Sequence, residues 1–400
     1  MDTSAPAIVF VINSLAAGGA EGALVHLISA MEANLRDFTT HLVLLDLEEE
    51  RHSAPSFVHK HVLDAKFSLA KSIYLLTGLL RELAPLATIS FLNRANCANV
   101  IASRILNYPC IISERVHTSS HFGNSATAAV NKTIVRLTYP LASQVVAVSH
   151  GVKDDLIKNY GVPGERIRVI YNPIDVDQII RKSAQSASFP IIDPYILGIG
   201  RLTPNKNFDL LIHAYRASNI DEKLVILGEG DQRTLLERLI NQLGLAGRVL
   251  LPGYIPNPYP LMKAARLFVC SSNAEGFPNA LVEAMALGCP VVSTDCDTGP
   301  AEILQSTDAG RCTAVTKAAW GLLAPTNDVG ALAQAICLGL EPETQAIYAN
   351  GGRKRARDFS VEASVDQYWS MLAPFLHSAQ STLSIKRARL SKTKPCGIAR

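Results

Sequence analysis

Apolar and polar positions alternate along this chain in two textures. Short, continuous apolar runs are separated by longer stretches in which apolar residues recur every three or four positions. "AIVFVIN" (Ala7–Asn13) leads into "GGAEGALVHLISAM", and "THLVLLDL" (Thr40–Leu47) follows. "ATIS" precedes "NRANCANVIASRIL", "CIISE" precedes a loop, and "QVVAVS" precedes "HGVKDDLIKNYG". Continuous apolar strands between amphipathic helices predict parallel sheets covered on both faces. The rhythm lapses over a Ser/Ala/Pro-rich stretch and then restarts with "YILGIGR" (Tyr195–Arg201), "KLVILG" (Lys223–Gly228), "RVLLPG", "RLFVCSS" and "PVVSTD".

The predicted fold class is α/β, with two Rossmann-like, doubly wound parallel-sheet domains facing a central crevice. A chain of 400 residues suits two cores. The expected layout is an N-terminal domain over residues 1–180, a linker at 181–194 and a C-terminal domain over 195–360. A helix at 361–380 is expected to cross back to the first domain, and 381–400 to form a basic disordered tail. Ligands of such sheets bind at the carboxyl ends of the strands.

Composition narrows the class without choosing a reaction. Hydrophobic residues make up 48% and charged residues 18%, with a net charge of +3. The stretch from Lys386 to Arg400 holds six cations and no acid, so the rest of the chain is slightly acidic. That balance speaks against a nucleic-acid partner and leaves the tail as a candidate contact for anionic lipid. An acidic residue stands where a signal peptide needs positive charge, and no apolar run approaches the roughly 20 residues that span a bilayer. The eight cysteines are scattered, with no C-x-x-C pair, which predicts neither a disulfide scaffold nor a zinc site. A cytoplasmic location is expected.

The chemistry concentrates at strand-to-helix junctions. In "SSNAEGFPNALVEAMALGCPVVSTD" (Ser271–Asp295), Glu275 lies in a turn and Glu283 in the helix beyond it. Pro278 fits the first helical position, which would leave the amides of Asn279, Ala280 and Leu281 facing an anion. Glu283 then sits about 7–8 Å along the axis from Pro278. A diphosphate at the helix start would place hydroxyl-bearing groups near each carboxylate, as a nucleotide-sugar requires. The plainer alternative makes Glu275 a solvated loop residue and Glu283 a helix-surface charge. In "GRLTPNKNFDLLIHAY" (Gly200–Tyr215), Arg201 and Lys206 flank a turn and suit a leaving diphosphate, or else form a solvated basic turn. Gly18 and Gly19 in "NSLAAGGAEGAL" allow close backbone approach, or a simple tight turn.

In order along residues 7–375, "GGAE" (Gly18–Glu21), "VAVSHGVKDDL" (Val146–Leu156), "VIYNPID" (Val169–Asp175), "GIGRLTPNKNFDLLI" (Gly198–Ile212), "LVILGEGDQRTLLERL" (Leu224–Leu239), "EGFPNALVEAMALGCPVVSTD" (Glu275–Asp295) and "GPAEIL" (Gly299–Leu304) resemble the family-4 glycosyltransferases of the GT-B fold. The resemblance implies a retaining hexosyl transfer from a nucleoside-diphosphate sugar, with no metal and no cofactor. It implies that Arg201 and Lys206 neutralise the donor diphosphate, that Glu275 contacts the transferred sugar and that Glu283 holds the ribose. It brings Gly18 and Gly19 to the donor phosphate and Gly276, Phe277, Asn279, Ala280 and Leu281 to the donor. The N-terminal domain becomes the acceptor side and the C-terminal domain the nucleotide-sugar side. In "IISERVHTSSHFG" (Ile111–Gly123), His117 is the candidate near the reacting centre, with Glu114 and Arg115 beside it and His121 as a rival; His150 has a capping or packing role.

The chain departs from the family pattern in three places. Gly22 replaces a basic residue, Pro278 removes an amide, and 310–321 is an insertion read as surface. "DCD" (Asp295–Asp297) and "DVD" (Asp175–Asp177) match the D-x-D metal pattern of another transferase fold, but two such triplets in one chain show how common the pattern is. A UDP-sugar donor and a glycan or lipid-linked glycan acceptor are expected, in polysaccharide or lipopolysaccharide-type synthesis. "RKRAR" (Arg353–Arg357) and the tail would allow peripheral contact with the inner membrane face. Alternatives are a nucleotide-sugar 2-epimerase of the same fold and a non-catalytic nucleotide-sugar-binding protein.

Overall fold

The computed structural model describes residues 5–392 other than 17, 123, 124, 188, 192 and 306–310, with side chains to 376 except those of 121 and 126. The first sheet comprises β1 (Ala7–Ile12), β2 (Thr39–Leu44), β3 (His59–Val62), β4 (Ala87–Phe91), β5 (Cys110–Glu114), β6 (Gln144–Ala147) and β7 (Ile167–Val169). Its order is β3-β2-β1-β4-β5-β6-β7, parallel throughout. The second comprises β8 (Tyr195–Ile199), β9 (Lys223–Leu227), β10 (Val249–Gly253), β11 (Leu267–Cys270), β12 (Val291–Thr294), β13 (Thr316–Lys317) and β14 (Leu322–Ala324). Its order is β10-β9-β8-β11-β12-β14-β13, and only β13 runs antiparallel. In both sheets the first strand lies where the winding direction reverses, so each opens a crevice at its carboxyl end.

Burial explains the strand texture. β1 is buried at every position, and its residues alternate between two cores. Ile8, Phe10 and Ile12 face one helix layer, and Val9 and Val11 the other. Helix starts carry their own caps: Ser68, Ser149, Asp175 and Asp328 each accept the amide three residues on.

Three elements differ from expectation. The helix Val176–Ser183 runs into the stretch read as linker. Within the segment read as a surface insertion, Thr316–Lys317 forms β13 at the sheet edge. The last helix runs from Val361 to Lys392, past the 380 boundary, so 381–392 is helical where a disordered tail was expected. No Gly or Pro interrupts the chain between Phe375 and Lys392, and its Leu, Ala, Gln, Lys and Arg are good helix formers. Residues 393–400 lie outside the described residues. Val365, Tyr368, Met371 and Leu372 of this helix join the core of the first sheet with Ile8, Phe10 and Phe91, so its first turns pack on the N-terminal domain.

Candidate functional site

A cleft of 1860 Å³ lies between the carboxyl edges of the two sheets. Gly18, Gly19, Glu114, Arg115 and His117 line it from one side, and Arg201, Lys206, Glu275, Asn279 and Glu283 from the other. All the sequence-predicted site residues border this one space.

The turns after β8 and β11 are tied together. Asn273 donates its amide to the Asn205 carbonyl at 2.8 Å, and Ser271 Oγ donates to the Lys206 carbonyl at 2.9 Å. This brings Lys206 Nζ to 2.5 Å from Glu275 Oε1, an oxygen that Ser272 Oγ also reaches at 2.6 Å. Burial pushes the Lys206 ammonium down, but Glu275, Cys270 and Cys296 outweigh it and leave it above the ordinary lysine value. Lys206 is therefore a fixed positive charge.

Glu283 has the opposite environment. Among the described residues it makes no hydrogen bond and no salt bridge, and burial pushes its carboxyl up to about 7, with Lys182 opposing. A carboxylate held in a cleft without a partner is an acceptor awaiting donors. Between the two glutamates, the helix Asn279–Leu287 begins one residue later than expected: Pro278 is its N-cap. Leu281 donates its amide to the Pro278 carbonyl at 3.0 Å. The amides left to meet an anion are those of Asn279 and Ala280. Phe277 borders the cleft, and its ring packs against Tyr171 and Phe359, with centroids 5.5 and 5.2 Å away.

The glycine loop faces this helix. A Cβ on Gly19 would stand 3.4 Å from Asn279 Nδ2. Asn279 Oδ1 accepts from Asn172 Nδ2 at 2.6 Å, fixing it from the interdomain segment. Glu21 is raised by burial, and Arg201, which is exposed on the opposite domain, is among the charges opposing that shift. At Gly22, where the family carries a basic residue, a Cβ would meet the His52 ring at 3.0 Å.

On the N-terminal side, His117 Nδ1 lies 2.6 Å from Ser120 Oγ and accepts the Ser120 amide at 3.3 Å. Its Nε2 lies 3.7 Å from Asp155 Oδ1. Burial lowers the imidazole, Asp155 opposes this and Arg311 adds to it, so the ring is neutral at pH 7. With Nδ1 accepting, the proton belongs on Nε2. Asp155 itself is held by Ser119 and Asn159. The side chain of His121 lies outside those described. Beside this loop, Glu114 is fully buried, and burial pushes it up to about 7 although Tyr139 donates to it at 2.5 Å.

Further contacts tie the two domains together. Glu302, in the "GPAEIL" segment, accepts the amides of His150 and Gly151 at 2.8 and 3.0 Å. A C-terminal-domain carboxylate thus caps an N-terminal-domain helix, His150–Tyr160, at its positive end. Ser149 is the side-chain cap, and His150 contributes its backbone rather than its ring. At the second contact, a Cβ on Gly276 would lie 2.1 Å from the Arg115 carbonyl, so only glycine lets the two loops touch. No local pattern gives Glu302, Asp155 or Asn172 a role, because chain order alone does not reveal which loops meet.

Both D-x-D triplets are engaged locally. Asp295 Oδ2 accepts the Cys312 amide at 2.6 Å, Asp297 pairs with Arg311, and Asp175 caps a helix. Arg311 and Cys312 of the insertion are therefore anchored to the turn after β12. Among the described residues no group of three or more His, Cys, Asp or Glu is placed to hold a metal ion, and no helix is long and apolar enough to cross a membrane.

Comparison with known proteins assigns the architecture. Residues 180–355 match the family described as glycosyl transferases group 1, and residues 17–178 match glycosyltransferase family 4. Over 272 residues the chain is 33% identical to the N-acetylgalactosamine-N,N'-diacetylbacillosaminyl-diphospho-undecaprenol 4-alpha-N-acetylgalactosaminyltransferase of Campylobacter jejuni, covering 67% of this chain and 71% of that one. It is 30% identical over 216 residues to the lipopolysaccharide core biosynthesis glycosyltransferase LpsE of Rhizobium meliloti, covering 52% and 58%. The fold matches that of Anabaena HepE in complex with UDP-glucose, with a TM-score of 0.70 and 23% identity over 92% of this chain and 99% of that one. The chain belongs to the group 1, family-4 glycosyltransferases and has their GT-B fold.

Proposed function

We propose that the cleft transfers a hexosyl group from a UDP-sugar to a hydroxyl of a lipid-linked glycan, with retention and without a metal. The observation that carries this reading is the contrast between the two glutamates. Glu275 is paired with Lys206, Glu283 has no partner among the described residues, and the Asn279 and Ala280 amides lie between them, opposite Gly18–Gly19.

In this reading the diphosphate lies on those amides, with Lys206 and Arg201 neutralising it. Glu283 accepts the ribose hydroxyls, and Glu275 meets the sugar while steadying Lys206. The bond from the anomeric carbon to the phosphate oxygen breaks, leaving positive charge on the sugar and negative charge on UDP. The fixed cations and amides bind that second charge more strongly as it develops. The acceptor hydroxyl attacks from the face that UDP leaves, and its proton passes to the departing phosphate oxygen. His117, neutral and anchored through Ser120, lines the acceptor side of the reacting carbon. The Glu302 and Gly276 contacts keep the domains closed, which excludes water from the donor.

The acceptor class rests on the Campylobacter relative, whose name specifies a diphospho-undecaprenol glycan. In this reading the enzyme works at the cytoplasmic face of a membrane. The test is transfer from a panel of UDP-sugars to polyprenyl-diphosphate glycans in EDTA, with the anomeric configuration of the product read by NMR. An α-linked product from an α-configured donor supports the reading. Turnover without acceptor would favour an epimerase, and binding without turnover a non-catalytic protein.

A further inference from the structure

Phe67 borders the cleft from a strained turn that follows β3. Asp64, Lys66 and Phe67 adopt left-handed backbone angles, with φ of 53°, 54° and 58°, although none is glycine. Such angles persist only where the surroundings fix them, and they collect at ligand clamps. Here the fixing groups are plain. Phe67 donates its amide to Asp46 Oδ1 at 2.9 Å. Arg94 pairs with the same carboxylate and donates to Ser72 Oγ at 3.4 Å. The Asp46 side chain is 1% exposed and that of Arg94 17%. A largely buried ion pair thus holds one turn, and what the turn presents to the cleft is an aromatic ring that is 67% exposed.

The sheet order says what passes this ring. The Arg94 guanidinium lies 5.8 Å from the ring centroid, and Arg94 belongs to the first turn of the helix Asn93–Leu106, which follows β4. β4 pairs on one side with β1, whose loop carries Gly18 and Gly19, and on the other with β5, whose loop carries Arg115 and His117. The ring is thereby held at the strand that separates these two loops. It belongs to the N-terminal-domain wall, whereas Glu275 and Glu283 line the cleft from the other domain. The same wall carries Glu48, Arg51 and Asn93. An open aromatic face among charged and amide groups matches a pyranose ring, which has an apolar C–H face and a rim of hydroxyls. The donor reading seats UDP on the C-terminal domain, so the ring is left for the acceptor.

We propose that Phe67 is a stacking platform for a sugar of the acceptor glycan, and that the Asp46–Arg94 pair positions it. The proposal rests on the glycan-acceptor reading above and names a residue that sets acceptor specificity within it. Because the ring is mostly exposed, the sugar it meets is one already in the acceptor chain, beyond the sugar under attack. Phe67 therefore selects for acceptors longer than one sugar.

The test uses the full chain, the best UDP-sugar of the donor panel, and C10 prenyl-diphosphate glycans of one, two and three N-acetylhexosamine residues as probes. Wild type is expected to show a lower KM for the longer probes than for the one-sugar probe. Phe67→Ala is expected to raise the longer probes' KM roughly tenfold, so that the three probes become alike. Phe67→Trp is expected to restore the preference, and the Kd for UDP to stay within about twofold in both variants. In NMR spectra with UDP present, C–H protons of one probe sugar should move upfield on binding to wild type and not to Phe67→Ala. Phe67→Gly relieves the left-handed angle, so it is expected to hold or raise the melting temperature while losing the length preference. A length preference that survives in Phe67→Ala overturns the proposal, as does a tenfold loss of UDP affinity there. A lower melting temperature in Phe67→Gly would make the ring structural and overturn it too. The NMR arm needs no turnover: the upfield shift without transfer supports the platform and counts against the transferase reading, whereas transfer without the shift leaves that reading intact and overturns this one.

Discussion

Lys206 Nζ and Glu275 Oε1 meet at 2.5 Å although 69 residues separate them in the chain. Each restrains the other: the ammonium is kept charged, and the carboxylate is held in place. Glu275→Ala would leave a largely enclosed lysine without its partner. It is expected to destabilise the C-terminal domain by about 1–3 kcal/mol in urea titrations and to lower kcat by roughly a hundredfold or more. Adding Lys206→Met should recover part of the stability and none of the activity.

Glu283 couples binding to pH. Its carboxyl is raised by burial to about 7, against 4.5 unperturbed. The folded state therefore binds a proton more readily than the unfolded state. The penalty of the buried charge is complete above pH 7 and disappears as pH falls below the unfolded value. Glu283→Gln is expected to stabilise the ligand-free protein by about 1–2 kcal/mol at pH 8 and by nothing near pH 4. Donor binding follows the opposite course, because ribose hydroxyls need the ionised form. Affinity for a UDP-sugar, which has no phosphate titrating in this range, should rise between pH 6 and 8 in wild type and stay flat in Glu283→Gln.

How much of this was legible in the sequence depended on whether the signal was local. The alternation of β1 with its helix, and of β8 and β11 with theirs, followed from apolar periodicity. So did the convergence of Arg201, Lys206, Glu275 and Glu283, because all four follow strands of one sheet. β3 was invisible: "HKHV" (His59–Val62) has no apolar alternation and pairs only at the sheet edge. Pro278 was placed one residue too far into its helix, since proline suits both positions and only backbone geometry separates them. Phe277, expected at the donor, lines the cleft, but the packing of its ring with Tyr171 and Phe359 is encoded by no local pattern. Glu302 needed the assembled domains to show what it caps.

Closure depends on the absence of a side chain at Gly276. An alanine there would drive its Cβ into the Arg115 carbonyl, so Gly276→Ala must part the two loops. Both domains should keep their folds. The radius of gyration from small-angle scattering should increase, and kcat should fall roughly tenfold or more as the cleft admits water. Glu302→Ala, which uncaps the helix His150–Tyr160, should open the molecule in the same direction.

Loss of His117 should separate chemistry from donor binding. Its ring lies on the N-terminal side, anchored by Ser120 and facing Asp155. His117→Asn is expected to lower kcat by roughly a hundredfold while changing the Kd for UDP by less than about threefold. Asp155→Asn removes the charge that opposes the lowering of the imidazole, so the His117 titration, followed by NMR, should move to lower pH. If His117 acts in the reaction, the acid limb of kcat/KM should move with it.

The central claim is that the two glutamates and Lys206 form one metal-free site for UDP. The most direct measurement is isothermal titration of UDP into wild type, Glu283→Ala and Lys206→Ala, each with and without EDTA. The predicted result is one UDP per chain, unaffected by EDTA and weakened about tenfold to a hundredfold in each variant. No binding of UDP, binding abolished by EDTA, or affinity unchanged in both variants would contradict it.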